Sequence, residues 1–173
     1  METPEKLVLS GADVFPVAEA FLKGGKKTRF TVSGNSMWPL IRHNRDSVLL
    51  SSLARPVKAG DIVLYHRDAA FKQCILHRVH RVKGETIMTM GDGCLALDAP
   101  VAVGQVIGRV EKVYRGKLTI NCDAPFWRSV FWLWRIGFPI RRGLLRALRK
   151  AARVRRQMKK TRNTGNGNSR QVS

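Results

Sequence analysis

The sequence predicts a mainly β fold, a compact β-barrel or sandwich with a short N-terminal helix and a basic helical C-terminal tail. From Arg29 onward, short runs rich in apolar and β-branched residues alternate with turn residues, which is typical of strands. Helical patterns are confined to the two ends of the chain. The length of 173 residues suits one domain, and 44% hydrophobic residues are enough to build a core.

The first element is a helical lead-in over residues 1–28. We expect a helix over about residues 14–23, with Asp13 as its N-cap and Gly24 and Gly25 at its end. Its predicted apolar stripe consists of Val14, Val17, Ala18, Phe21 and Leu22. This pattern indicates a packing element.

The β core is predicted over residues 29–123. Seven short runs separated by glycine-containing turns favour a small barrel or sandwich. The predicted strands are Arg29–Ser33, Ser47–Ser52, Asp61–His66, Ile75–Val82, Thr86–Met90, Gln105–Tyr114 and Lys117–Asn121.

The C-terminal region differs from the core in charge. Of the 32 Lys and Arg residues, 14 lie in residues 126–173, where no Asp or Glu occurs. We expect residues 124–161 to form an aromatic and basic amphipathic helical tail, and residues 162–173 to be disordered. Such a tail suits an anionic membrane surface contacted through residues 124–160, a nucleic acid, or packing on the domain. The clustered tryptophans favour the membrane surface.

Targeting signals and ligand motifs are sparse. We expect no signal peptide and no clear transmembrane helix, and therefore a peripheral membrane or cytoplasmic protein. Three cysteines without a CxxC spacing suggest neither a disulfide framework nor a zinc site. No phosphate-binding loop or cluster of metal ligands is visible, so we expect neither a cofactor nor a metal.

A candidate nucleophile is Ser36, which follows a predicted strand at a turn containing Gly34 and Pro39. A serine on a tight turn exposes its hydroxyl beside backbone N–H groups, as a nucleophile next to an oxyanion hole requires. Without a neighbouring base, however, an ordinary turn serine is the more common interpretation.

The histidines available as a base are His43, His66, His77 and His80. His77 and His80 point to opposite sides of one predicted strand, so they do not suggest a shared metal. A histidine on an apolar strand face is more often a core residue. The acids downstream are Asp92 and Asp98, and either also suits a turn. The local patterns leave both acids open.

Five segments in order resemble the type I signal peptidase family and are similar to its archaeal and endoplasmic-reticulum branch. The resemblance covers about residues 29–115, in the segments Ser33–Pro39, Lys58–Tyr65, Ile75–Val79, Gly91–Asp92 with Asp98, and Val106–Val110. It implies that Ser36 is the nucleophile and that His77, in a His-Arg-Val motif, is the base. The family's acid lies six residues after the Asp of its Gly-Asp motif, which implies Asp98 and makes Asp92 the alternative acid.

The resemblance implies a serine endopeptidase that binds a polypeptide, of the leader or signal type, as an extended strand. Gly34 is then expected at the oxyanion site, and Met37 either faces the substrate or belongs to the core. Two alternatives stay open: a nucleic-acid-binding β-domain, and a peptide-binding domain that keeps the fold without catalysis. Nucleic acid is not expected as the main partner because the excess basic charge lies in the tail.

Overall fold

The structure is a computed structural model that describes residues 11–68, 73–136 and 143. Its elements are the helix α1 (Gly11–Lys23), the strands β1 (Thr28–Thr31), β2 (Ser47–Ser51), β3 (Ile62–His66), β4 (Cys74–Lys83), β5 (Thr86–Met90), β6 (Val101–Ala102), β7 (Val106–Arg115) and β8 (Leu118–Asn121), and the helix α2 (Pro125–Ile136). A short 3₁₀ turn, Val103–Gln105, precedes β7.

The mainly β fold predicted from the sequence is confirmed. The eight strands form one curled antiparallel half-barrel sheet in the order β1-β2-β7-β3-β4-β5-β6, with β8 paired to β7. Register shifts interrupt three of the pairings, between Leu49 and Leu50, between Leu64 and Tyr65, and between Val79 and Arg81. Such irregularities increase the local twist and help a sheet to curl.

Two hydrophobic clusters lie on opposite faces of the sheet. The larger one includes residues from both helices, Leu22 of α1 and Phe131 of α2, and its strand members include Leu76 of β4. The smaller one includes Tyr65 of β3 and Val79 of β4. Because neighbouring residues of a strand point to opposite faces, β4 contributes to both clusters.

The N-terminal helix differs from its prediction in two respects. It begins at Gly11, so Asp13 lies inside the helix and its prediction as the N-cap was wrong. Ala18 and Leu22 are buried as expected, but Val17 and Phe21 are nearly half exposed. The buried stripe is therefore narrower than the apolar pattern of the sequence.

Part of the tail is described as α2. Most of residues 137–161, and all of the segment 162–173 predicted to be disordered, lie outside the described residues. By its internal contacts the chain divides into two units, Met1–Arg135 and Ile136–Ser173. Neither described helix has the length and apolar character that a membrane-spanning segment requires.

Candidate active site

The turn that carries Ser36 is fixed on both sides by core residues. Val32 and Met37 are 4% and 1% exposed, whereas Ser36 between them is half-buried. Gly34 has a φ of 98°, a conformation that a residue with a Cβ adopts only with strain. Met37 packs in the larger cluster, which favours its interpretation as a core residue over contact with a substrate.

His43 is hydrogen-bonded to the backbone of this turn. The Gly34 N–H donates a hydrogen bond of 2.9 Å to His43 Nδ1. This N–H is therefore occupied and does not serve as an open oxyanion donor. The contact spans nine residues of irregular chain, and nothing in the sequence pattern indicated it.

His77 and Asp98 form a direct pair. His77 lies in β4 opposite Val63 of β3, and its Nδ1 is 2.6 Å from Asp98 Oδ2. Their side chains are 9% and 16% exposed. Since an ionised carboxylate only accepts hydrogen bonds, this contact places a proton on Nδ1, and in a neutral imidazole the lone pair is then on Nε2.

Two buried hydroxyl groups hold Asp98 in place. Thr89 Oγ1 donates to Asp98 Oδ2 over 2.7 Å, and the Tyr65 hydroxyl donates to the same oxygen over 3.3 Å. The two hydroxyl oxygens are 3.0 Å apart, and the backbone of Asp98 is tied to Thr89 as well, N–H to carbonyl, over 2.9 Å. The carboxylate therefore has little freedom to turn away from His77.

The pKa of Asp98 reflects these contacts. Burial alone raises the pKa of this carboxyl, but the hydrogen bonds from His77 and Thr89 and the positive charges of His77 and Arg67 outweigh it, so the pKa is lowered. Arg67 Nη2 lies 3.6 Å from the other carboxylate oxygen, Oδ1. Asp98 is therefore ionised at neutral pH and complements a positive charge on His77.

Asp92, the alternative acid, lies on the other side of β4. Arg78 Nε and Nη2 each donate a 2.8 Å hydrogen bond to an Asp92 oxygen, and both side chains are almost fully buried. Arg78 Nη1 also donates to the Gly60 carbonyl. Of the two acids that the sequence left open, the structure thus brings Asp98 to His77 and commits Asp92 to Arg78.

The segment Gly91–Gly93 brings the serine turn and His77 together. A Cβ added at Gly91 would lie 2.4 Å from the Ser36 carbonyl oxygen and 3.0 Å from His77 Nε2. A Cβ at Gly93 would lie 2.6 Å from the Trp38 carbonyl oxygen, and the Gly93 N–H donates to the Ser36 carbonyl over 2.7 Å. Both glycines are therefore required for close approach, a role that the sequence analysis did not assign to them.

The Ser36 carbonyl oxygen and His77 Nε2 thus both lie beside the position that a Cβ on Gly91 would occupy. Among the described residues, no hydrogen bond joins Ser36 Oγ to His77 Nε2 in this conformation. Catalytic hydrogen bonds are often long in the absence of substrate and tighten when it binds. The structure thus joins His77 to Asp98 and brings the turn of Ser36 close to His77, without a hydrogen bond between the serine and the histidine.

The other candidate features of the described residues are a cavity and three cysteines. Within residues 11–68 and 73–136, no group of three His, Cys, Asp or Glu side chains could hold a metal ion. A cavity of about 280 Å³ lies against α2, between Asp61, Cys122 and Trp132, and away from Ser36 and His77. No disulfide joins the three half-buried cysteines Cys74, Cys94 and Cys122. Burial raises the pKa of the Cys122 thiol to about 12, so this thiol is protonated at neutral pH.

Neither a protein family model nor a curated protein matches this chain.

Proposed function

We propose that the protein is a serine endopeptidase in which Ser36 is the nucleophile, His77 the general base and Asp98 the residue that orients His77. The observation that carries this proposal is the 2.6 Å pair of His77 and Asp98, whose free Nε2 borders the same glycine as the Ser36 turn. The resemblance of the sequence to type I signal peptidases points to the same three residues.

In the proposed reaction, Ser36 Oγ attacks the carbonyl carbon of a peptide bond while His77 Nε2 takes its proton. The imidazolium is stabilised by ionised Asp98 and then gives the proton to the leaving amine. Water attacks the acyl-enzyme in the second half of the reaction, again with His77 as the base. Ser36 is regenerated and the second peptide fragment leaves.

The backbone N–H of Ser36 is the proposed oxyanion donor, since it lies on the nucleophile itself. Gly34 contributes the backbone conformation of the turn, but its N–H is bonded to His43.

The substrate is proposed to be a polypeptide, of the leader or signal type that the resemblance implies, bound as an added strand. Among the described strands β1 pairs only with β2, and its other edge is unpaired. Because β1 leads into the turn of Ser36, a peptide laid along this edge passes close to the nucleophile.

The test is covalent labelling of the full chain by a serine-directed fluorophosphonate, with the modified residue located by mass spectrometry. We expect labelling at Ser36, its loss in Ser36→Ala and His77→Ala, and its retention in the matched controls Ser33→Ala and His80→Ala. Ser33 lies in the same turn and His80 in the same strand, so these controls separate loss of chemistry from loss of fold.

Equal labelling of wild type and His77→Ala, or none at Ser36 in a folded wild type, would count against catalysis. Cleavage of a set of leader-type peptides, followed by mass spectrometry with the same four variants, then identifies the bond that is cut. Peptide binding without cleavage or labelling would support the alternative of a non-catalytic peptide-binding domain.

A further inference from the structure

The helix α2 is apolar on two sides. Its inner side packs on the domain through Phe131, which is 6% exposed and lies against Trp127 with ring centroids 6.2 Å apart. Its outer side exposes Phe126, Trp132 and Leu133 by 69%, 53% and 58%. A helix that is hydrophobic in two directions requires a second apolar contact, beyond the one that its own domain supplies.

The part of the chain that contains α2 is strongly basic in sequence. Arg128 is exposed on α2, and residues 124–173 contain 14 Lys and Arg and no Asp or Glu. The nearest preceding acid, Asp123, is bonded by Arg109 over 2.8 Å, so its charge is already compensated. The surface that covers α2 must therefore offer both apolar volume and negative charge.

We propose that α2 is an interfacial helix that binds the surface of an anionic lipid bilayer, with Phe126 and Leu133 inserted below the headgroups and Trp132 at the level of the headgroups. Tryptophan prefers the headgroup level, and each Lys or Arg near an anionic surface adds attraction. This proposal holds whether or not Ser36 is a nucleophile.

Three other partners could cover the outer side of α2: the rest of the tail, a second copy of the chain, or a nucleic acid. The charges and side chains of α2 disfavour each of them. The rest of the tail and a second copy of the chain are both strongly basic and so repel Arg128 and its neighbours. A nucleic acid accepts positive charge, but an aliphatic side chain such as Leu133 gains little from stacked bases.

The binding face is part of the folded domain. Phe131 lies over the guanidinium of Arg78, 4.2 Å from Cζ to the ring centroid, and Arg78 is itself held by Asp92. Arg78 points to the opposite side of β4 from His77. Binding through α2 therefore leaves the sheet face of His77 and Asp98 directed away from the bilayer.

The test measures co-sedimentation of the full chain with vesicles of phosphatidylcholine alone and of phosphatidylcholine with phosphatidylglycerol at about 7:3. We expect binding to the anionic vesicles, weakened about a hundredfold in Phe126→Ser/Trp132→Ser/Leu133→Ser because three partly inserted apolar side chains are lost. The matched control is Leu118→Ser, since Leu118 is 47% exposed but lies in β8. Brominated lipids should quench tryptophan fluorescence more in wild type than in Trp132→Phe.

Four results would overturn the proposal. Equal vesicle binding by the triple variant and wild type would exclude α2 as the contact. A lower melting temperature of the triple variant without lipid would indicate that the chain's own tail covers the face. A wild-type dimer that dissociates in the triple variant would indicate a second copy. Duplex DNA that displaces the vesicles and depends on the same three residues would indicate a nucleic acid.

Discussion

Substitution of Gly91 by alanine tests the geometry at the centre of the candidate site. The new Cβ would lie 2.4 Å from the Ser36 carbonyl oxygen, so these atoms must separate by at least about 0.6 Å to reach the closest contact that real Cβ atoms show. The obstacle is backbone, which cannot turn away as a flexible side chain can. His77 Nε2, 3.0 Å from the same point, is crowded as well.

Two effects follow from this displacement. A misplacement approaching 1 Å can cost about a hundredfold in rate, so we expect fluorophosphonate labelling of Ser36 to slow by roughly ten- to a hundredfold. Overpacking of a tight site typically costs about 1–3 kcal/mol, and the melting temperature should fall by about 2–4 °C per kcal/mol. Both are measured on the purified variant, by labelling kinetics and by calorimetry.

The matched control is Gly104→Ala, since a Cβ at Gly104 has no atom within 4 Å. The double variant Gly91→Ala/Cys94→Ala removes the Cys94 sulfur, which lies 2.8 Å from the added Cβ, but leaves the clash with the Ser36 carbonyl. We expect it to stay as slow as Gly91→Ala. If Gly91→Ala labelled and melted like Gly104→Ala, the close approach of the two segments would be wrong.

Three further predictions concern the buried ion pair, the Asp98 carboxylate and the thiols. Asp92→Asn leaves buried Arg78 without its counter-charge and should lower the free energy of unfolding in urea by about 3–5 kcal/mol. The control Glu19→Gln breaks the more exposed pair with Lys23 and should change this free energy little. Equal effects of the two substitutions would refute the buried pair of Arg78 and Asp92. Because the pKa of Asp98 is lowered on folding, its ionised form contributes stability above the ordinary carboxyl pKa of about 3.9 and loses it as the pH falls through the lowered value. The difference in unfolding free energy between wild type and Asp98→Asn should therefore be full above about pH 5 and shrink below pH 4, and a difference that grows in acid would contradict this. Burial raises the pKa of Cys74 to about 11 and of Cys122 to about 12. At pH 7.5 iodoacetamide should therefore modify both thiols at least about tenfold more slowly than a small free thiol, as measured by peptide mass spectrometry. A rate equal to that of the free thiol would count against the burial of these cysteines.

The local patterns of the sequence predicted the strands well. Glycines at turns marked the ends of β4 and β5 and of β7 and β8, and alternating apolar residues marked the strands between them, so most predicted bounds lie within two residues of those observed. The two-residue strand β6 is too short to show a period and was not predicted. The exposure of Phe21 was not predicted, because the apolar pattern of α1 does not show which of its apolar residues face the sheet.

The candidate site was predictable only in part. The positions of Ser36, His77 and Asp98 came from the order of five segments, and the catalytic roles of these residues stay predictions. The residues that support them were not foreseen, because Thr89, Tyr65 and His43 act through contacts that join distant parts of the chain. The need for a glycine at position 91 arises in the same way, because the backbone of Ser36 lies against it in the folded protein. A single sequence does not show that these two segments meet.

The adjacent residues His77 and Arg78 also affect how the sheet can form. His77 is bound by Asp98 on one face of the sheet, and Arg78 is bound by Asp92 on the other face. A slip of β4 by one residue would exchange the faces, so that an imidazole replaced the buried guanidinium and Asp92 lost its paired hydrogen bonds. The two carboxylates therefore discriminate against misaligned strand pairings during folding, independently of any reaction that the native protein performs.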